Sequence, residues 1–226
     1  MNRLRFFYDI IIDLVYPNVC IFCNELKTGG KDSICDACWN ALPAFPVEQN
    51  ILREIKEKLA TLVYLSNLRS MWEFEDNVQI IIHRLKYKHK TSVAAKISQY
   101  MSNLIEFDKD IDLLIPVPLH KKRRRERGYN QSTLICKAIS KIKGIPTNEI
   151  SLQRIKNTKS QTKLNINERK KNVADAFRVV NRSEIENKTI LLVDDVITTG
   201  STINACAQQL KNNGAKEIYA ISAAKA

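Results

Sequence analysis

Ile190-Leu191-Leu192-Val193-Asp194-Asp195-Val196-Ile197-Thr198-Thr199-Gly200-Ser201-Thr202 is the stretch whose reading decides the fold of this chain, together with the INACAQQLKNNGA that continues it to Ala215. The four apolar residues Ile190 to Val193 read as a buried strand, two carboxylates come next, and Thr198 to Thr202 runs straight into an amphipathic helix. Gly200 lets the backbone approach a ligand closely. The hydroxyls of Thr198, Thr199, Ser201 and Thr202 lie beside the unpaired N–H groups of a helix start, an arrangement that favours a phosphate dianion. Asp194 and Asp195 would be repelled by that same phosphate, so they are expected to accept hydrogen bonds from hydroxyls or to hold a metal shared with the ligand. The implied ligand is a sugar phosphate. The bland alternative is a strand ending in two capping aspartates, with threonines serving only the turn.

The loop lacks both the GxxxxGK[ST] pattern and the GxGxxG spacing, which disfavours a P-loop NTPase or a dinucleotide site. The run VDDVITTGST resembles the phosphoribosyl diphosphate (PRPP) binding loop of the type I phosphoribosyltransferases. The resemblance implies that Asp194 and Asp195 hold the ribose 2′- and 3′-hydroxyls. It also implies that the loop, from Val196 and Ile197 through Thr198, Thr199, Gly200, Ser201 and Thr202, carries the 5′-phosphate.

Working outward, 226 residues build one α/β domain of about 150–170 residues with a smaller module to spare. Apolar residues at 44% and charged residues at 27% are ordinary for a globular protein and disfavour wholesale disorder. The net charge of +12 is not ordinary, and points to a polyanionic partner or a heavily phosphorylated substrate. It is unevenly placed: residues 1–60 carry −1, residues 61–150 carry +7 and residues 151–226 carry +6. No uncharged apolar stretch approaches the length of a membrane span.

The N-terminal FFYDIIIDLVYP comes after Arg3 and Arg5 like a signal peptide, but Asp9 and Asp13 interrupt it and no small-residue cleavage pattern succeeds it, so a short amphipathic helix is expected. Cys20 and Cys23, then eleven residues, then Cys35 and Cys38 form two CxxC knuckles, the four thiolates of a tetrahedral, structural Zn²⁺ site in a compact ribbon or treble clef. Two disulfides are the competing reading; without a signal peptide the reduced cytosol is expected, which favours zinc. Trp39 to Pro46 reads as a linker, placing an N-terminal zinc module at 1–48 and the α/β domain at 49–226.

In that domain the patterns predict a helix over Ile51–Leu59 and a strand over Leu62–Leu65. The WEFEDNVQIIIHRLKYKHK segment predicts a helix burying Val78, Ile81, Ile82 and Leu85, and another helix runs from Val93 to about Ile105. A buried strand, Ile111 to Val117, ends in Pro116 and Pro118, and ligands gather at such carboxyl ends. Just beyond that end stand Lys121 to Arg127, six cations in seven residues, then Gly128-Tyr129-Asn130-Gln131-Ser132. This reads as a diphosphate-binding loop, a nucleic-acid contact or a solvated run. A helix over Gln131–Lys143, a strand near Ile150–Arg154 and a basic loop RIKNTKSQTKLNINERKK, suited to a lid or else a mere insertion, complete the middle. The last strand is expected at Ile218–Ser222. Cys136 and Cys206 are unpaired, and His83 and His89 lack ligand-spaced partners.

Taken in order, the double CxxC, PVPLHKKRRRERGYNQS, the RIKNTKSQTKLNINERKKNVADAF run and VDDVITTGST resemble the ComF/GntX family, competence-associated phosphoribosyltransferase-like proteins. The resemblance implies an α/β type I phosphoribosyltransferase fold with a central parallel sheet flanked by helices, plus an N-terminal zinc module. It also implies a cytoplasmic role in natural transformation, handling imported single-stranded DNA beside a competence helicase. The chemistry implied is displacement of diphosphate from PRPP with Mg²⁺ by an unknown acceptor; Arg123, Arg127, Arg154 and Arg169 are the candidates for diphosphate contact. In purine-salvage members a further Asp stands three positions beyond the acidic pair; here that position is Thr198, so the acceptor is not legible. The other reading is a non-catalytic single-stranded DNA adaptor whose PRPP pocket is vestigial or regulatory.

Overall fold

A computed structural model describes residues 19–27, 33–46, 51–59, 63–87, 91–156 and 175–226. The chain divides into two compact units, Met1–Leu42 and Pro43–Ala226. The expected N-terminal helix, with Asp9 and Asp13, and the basic run through Arg169 lie outside the described residues, as does His89. No helix among the described residues is long and apolar enough to cross a membrane.

In the first unit the chain turns back through an antiparallel bridge, Val19↔Leu26, with Asn24 in the left-handed region at φ 59°. Helix α1, Asp36–Asn40, begins at Cys35 and buries Trp39 at 1% exposure. The linker expected from Trp39 onward is therefore corrected: Trp39 is a core residue of the metal module. Residues 43–45 are not free either. Ala44 bridges Trp72, and the Phe45 N–H donates to the Met71 carbonyl. A short extended piece thereby covers an edge strand that would otherwise expose unpaired backbone.

The second unit is built on a parallel sheet. Helix α2, Ile51–Leu59, lies where expected. Strand β1 is Asn67–Glu73, later than the predicted Leu62–Leu65. Leu65 is buried, but Ser66 begins the ladder and Asn67 pairs with Tyr219, so the partner strand sets the start that apolar content alone had placed too early. Helices α3, Asp76–Tyr87, and α4, Thr91–Ser102, come next; Val78, Ile81, Ile82 and Leu85 of α3 are all buried at 1% or less, each worth about 1.5–3 kcal/mol.

Strand β2 is Leu113–Pro116, and α5, Lys121–Arg127, takes the place of the expected basic loop. Lys, Arg and Glu are strong helix formers; the His120 side chain caps the start and Gly128, at φ 80°, ends the helix. Helix α6 is Gln131–Lys143. Strand β3, Leu152–Arg154, pairs antiparallel with β4, Phe177–Val179; it starts after Ile150 because Asn148 Oδ1 accepts from the Ile150 and Ser151 N–H groups in a turn.

The fold closes with β5, Thr189–Ile197, helix α7, Ser201–Asn212, and β6, Glu217–Lys225. The sheet order is β1-β6-β5-β2, parallel throughout, and residue 147 adds a further parallel bridge to Leu114. On one face Leu68, Ile115, Leu192, Ile218 and Ala220 share a core with Ile55, Ile203 and Leu210 of α2 and α7. On the other, α4 and α6 pack together and against the sheet, bringing Ile97, Met101, Ile135 and Ile139 to full burial. Burial on both faces is why β5 carries the continuous apolar run Ile190 to Val193.

Candidate functional site

Strand β5 outruns β2. The last β2 pair is Pro116↔Val193, whereas β6 accompanies β5 to Ile197↔Lys225, so from Asp194 onward one side of β5 is open at its carboxyl end. Asp194 and Asp195 sit at that opening, 9% and 5% exposed. The Ser132 hydroxyl donates to Asp194 Oδ1 at 3.1 Å, and the Asp195 N–H donates to the same oxygen at 2.9 Å. Lys86 Nζ, at the end of α3, lies 2.8 Å from Asp195 Oδ2. The two carboxyls are driven apart. Burial, with the Asp195 charge adding to it, pushes Asp194 well above the ordinary carboxylate range. Burial would also raise Asp195, but the Lys86 ammonium outweighs it and holds that carboxyl below its usual value.

The Gly128-to-Ser132 segment positions this pair residue by residue. Gly128 ends α5, and the Tyr129 hydroxyl donates to the Leu85 carbonyl, tying the joint to the turn that carries Lys86. Asn130 caps α6 through the Ser132 N–H while its own amide donates to the Val117 carbonyl at 3.0 Å. Gln131 accepts from Arg127 Nη1 at 3.2 Å, and Ser132 reaches Asp194.

Beyond the acids along the chain, Thr198 to Thr202 turns into α7. Gly200, the N-cap at φ 78°, carries no side chain to cap α7, and Thr199 Oγ1 accepts from the Ser201 N–H at 3.4 Å; a helix start of this kind favours an anion such as phosphate. Thr199 Oγ1 and Ser201 Oγ are 2.9 Å apart. A Cβ at Gly200 would lie 2.4 Å from Ile55 Cδ1, so α2 packs directly on the loop. Gly200→Ala is expected to combine left-handed strain with this clash, lowering stability by about 1–3 kcal/mol, seen as a lower Tm of the purified protein.

These groups enclose a cavity of about 310 Å³. Asp194, Asp195 and every residue from Val196 to Thr202 line it. Arg123 and Arg127, four apart on α5, line it too, as does Arg154 of β3. Arg154 stacks 5.4 Å over the Phe177 ring, and burial lowers its guanidinium from the usual value, with Arg123 adding to the effect. The structure therefore brings together all the predicted loop, acid and arginine positions except Arg169, which is outside the described residues. Sequence reasoning gave Lys86 and Phe74 no place in the site, and named Gln131 and Ser132 only as the polar helix start after the basic run. Lys86 lies in the cationic HRLKYKHK run at the end of α3, and nothing in spacing links it to an aspartate more than a hundred residues away.

In the first unit the sulfurs of Cys20, Cys23, Cys35 and Cys38 all lie within 4.8 Å of one another. The Cys23–Cys35 Sγ distance of 3.7 Å matches the edge, about 3.8 Å, of a tetrahedron with Zn–S bonds of about 2.3 Å. The Cys35 N–H donates to Cys20 Sγ and the Cys38 N–H to Cys35 Sγ, both at 3.4 Å, as thiolate ligands require. Burial opposes ionisation of Cys20, yet the N–H groups of the knuckles lower it to about 6. Cys38 is raised by burial and by its thiol neighbours, since so many negative charges need a cation between them. All six cysteines are free thiols, so the disulfide reading is set aside. The set fits structural zinc and leaves no open position for catalysis.

A family model described as a phosphoribosyl transferase domain matches residues 132–225, and one described as a double zinc ribbon domain matches residues 11–50. The DNA utilization protein YhgH of Escherichia coli (strain K12) is 31% identical over 223 residues, covering 91% of this chain and 96% of that protein. Competence protein F of Haemophilus influenzae is 27% identical over 221 residues, covering 92% and 96%. Competence protein ComFC of Bacillus subtilis (strain 168) is 26% identical over 199 residues, covering 87% and 79%. With a type I phosphoribosyltransferase fold following a four-cysteine zinc ribbon, and with relatives matched nearly end to end, the chain belongs to the ComF family of competence and DNA-utilization proteins.

Proposed function

We propose that this protein binds PRPP with Mg²⁺ in the cavity at the carboxyl end of β5 and transfers its phosphoribosyl group to an acceptor, in the service of DNA uptake during natural transformation. One observation carries the reading: two buried acidic side chains, the start of α7 at Gly200 and three arginines line one cavity. The 5′-phosphate would take the Thr198 to Thr202 loop, and the ribose hydroxyls would donate to Asp194 and Asp195. Arg123, Arg127 and Arg154 would hold the diphosphate and stabilise its charge as it leaves. Mg²⁺ would neutralise diphosphate oxygens, and the carboxylates at the cavity wall are the donor set suited to share it. The chain's part in this reading is orientation and charge stabilisation. Calorimetric titration with PRPP and Mg²⁺ tests it: saturable one-to-one binding is expected, and diphosphate release across a panel of acceptors would establish turnover. Absence of binding would overturn the reading.

A second observation favours a nucleic-acid adaptor role beside it. Helix α5 is two-sided: Arg123 and Arg127 line the cavity, while Lys121, Lys122, Arg124 and Arg125 face solvent. Four outward cations on one short helix suit a phosphate backbone, and single-stranded DNA at the cytoplasmic face beside a competence helicase is the partner this reading takes. Fluorescence titration with oligonucleotides should give a log–log salt slope near −3, about −0.7 per neutralised phosphate over four contacts. Exchanging the four outward cations for Gln should flatten it, and a flat slope in the unaltered protein would remove the adaptor role.

A further inference from the structure

Among the described residues that line the cavity, Lys86 is the charged group to which the functional reading assigns no task. Its side chain is 23% exposed and that of Asp195 is 7% exposed, so their 2.8 Å pair is shielded from competing water. The pair is also held in place from behind. The Tyr129 hydroxyl binds the Leu85 carbonyl, fixing the last turn of α3 against the α5–α6 joint. Yet Asp195 is half of the acidic pair that the ribose hydroxyls or a shared cation must engage. A carboxylate already neutralised by a tethered ammonium attracts a second cation poorly, because the two compete for the same charge and lone pairs.

Arg123, Arg127 and Arg154 line the same 310 Å³ cavity, three cations suited to an anion. A flexible four-carbon stem carries the Lys86 charge, so the ammonium can leave Asp195 for an arriving phosphate without moving α3. Gln131 and Ser132 remain beside the acids when it leaves, and Ser132 keeps Asp194 hydrogen-bonded.

We propose that Lys86 is a tethered counter-ion that occupies Asp195 in the empty protein and changes partner on loading, from Asp195 to the diphosphate of the ligand. This rests on the reading of the cavity as a site for PRPP and Mg²⁺, and adds a selection rule to it. A metal ion alone meets a closed acidic pair, whereas a ligand carrying diphosphate draws Lys86 away and opens the carboxylate to the metal and ribose. Diphosphate and divalent cation thus bind with positive coupling. Lys86 acts here as a positioning residue in the empty state and as an anion contact in the loaded one.

The test uses the full-length zinc-loaded protein, with Mn²⁺ alone followed by electron paramagnetic resonance and PRPP with Mg²⁺ followed by calorimetry. Lys86→Met should bind Mn²⁺ about tenfold more tightly and PRPP with Mg²⁺ about tenfold more weakly, the usual scale of coupling between ligands. Lys86→Arg, which keeps the charge, should stay near the parent on both. A structural role would not give these opposite signs, since a damaged site would weaken both ligands. Unchanged Mn²⁺ affinity in Lys86→Met, including no detectable Mn²⁺ binding in either protein, or weakening of both ligands together, would overturn the partner exchange while leaving PRPP binding intact. No PRPP binding by the parent protein would overturn the cavity reading and the exchange with it.

Discussion

Replacing Asp194 and Asp195 together by asparagine is expected to cut affinity for PRPP with Mg²⁺ by at least about 100-fold. Each lost charge-assisted hydrogen bond removes about 1.5–3 kcal/mol. The single variants should differ, because the two carboxyls are pushed in opposite directions. Asp194 is pushed above the ordinary range by burial and its neighbour, so Asp194→Asn imitates a form that the empty protein already tolerates. Asp195 is held ionised by Lys86 against burial, so Asp195→Asn strands an ammonium that is mostly enclosed. Asp195→Asn should therefore cost about 1–3 kcal/mol of stability, below the full figure for a closed interior because Lys86 keeps a route to water, whereas Asp194→Asn should be near neutral.

The pH dependence has its origin in the same directions. The raised Asp194 contributes stability that is full below the ordinary carboxylate range and is lost as pH rises through its folded value. The lowered Asp195 contributes stability present above that range and lost as pH falls through its folded value. Ribose hydroxyls need acceptors, so PRPP affinity should climb as pH rises through the raised Asp194 value and then level off. Calorimetry at stepped pH reads this directly. Full affinity in the double variant would remove the acidic pair from the site.

Stripping the zinc module is the second large expected effect. Four thiolates placed within 4.8 Å of one another repel unless a cation joins them, and the first unit encloses few buried apolar residues, Cys20, Ile34, Trp39 and Leu42 among those described. Zinc binding by such sites in small peptides is worth about 10–16 kcal/mol, and that binding energy is folding energy. A strong chelator, or Cys23→Ser, is therefore expected to release one zinc per chain and to abolish amide protection across residues 19–42. The parallel sheet of Pro43–Ala226 has its own two-sided core and should keep its protection. Amide exchange with and without chelator checks both halves; a first unit that stays protected without metal would show that the cysteines do not hold it.

Much of this was legible without coordinates, for reasons that can be named. The run Ile190 to Thr202 carries strand, acids, glycine and hydroxyls consecutively, so its local chemistry is complete within thirteen residues. The double CxxC likewise states its ligands by spacing alone. The α3 face of Val78, Ile81, Ile82 and Leu85 is set by helical periodicity, and each is buried. Errors arose where a partner decides the outcome. Strand β1 begins at Asn67 because Tyr219 lies opposite, and Trp39 is a core residue because it lies on the buried side of the helix that starts at Cys35.

The basic run at Lys121 shows the division within one element. Its composition left a diphosphate loop, a nucleic-acid contact and a solvated run open, and only the caps at His120 and Gly128 make it a helix whose geometry turns Arg123 and Arg127 into the cavity and the other cations out. By itself, then, the sequence determined the parallel-sheet fold, the four-cysteine set and the strand-to-helix turn from Asp194 to Thr202, since each is written in residues adjacent or regularly spaced along the chain. The tertiary structure alone decided that Lys86 closes on Asp195 and that Ser132 holds Asp194. A charge pair between residues 86 and 195 depends on where three elements meet, and no local preference encodes that distance.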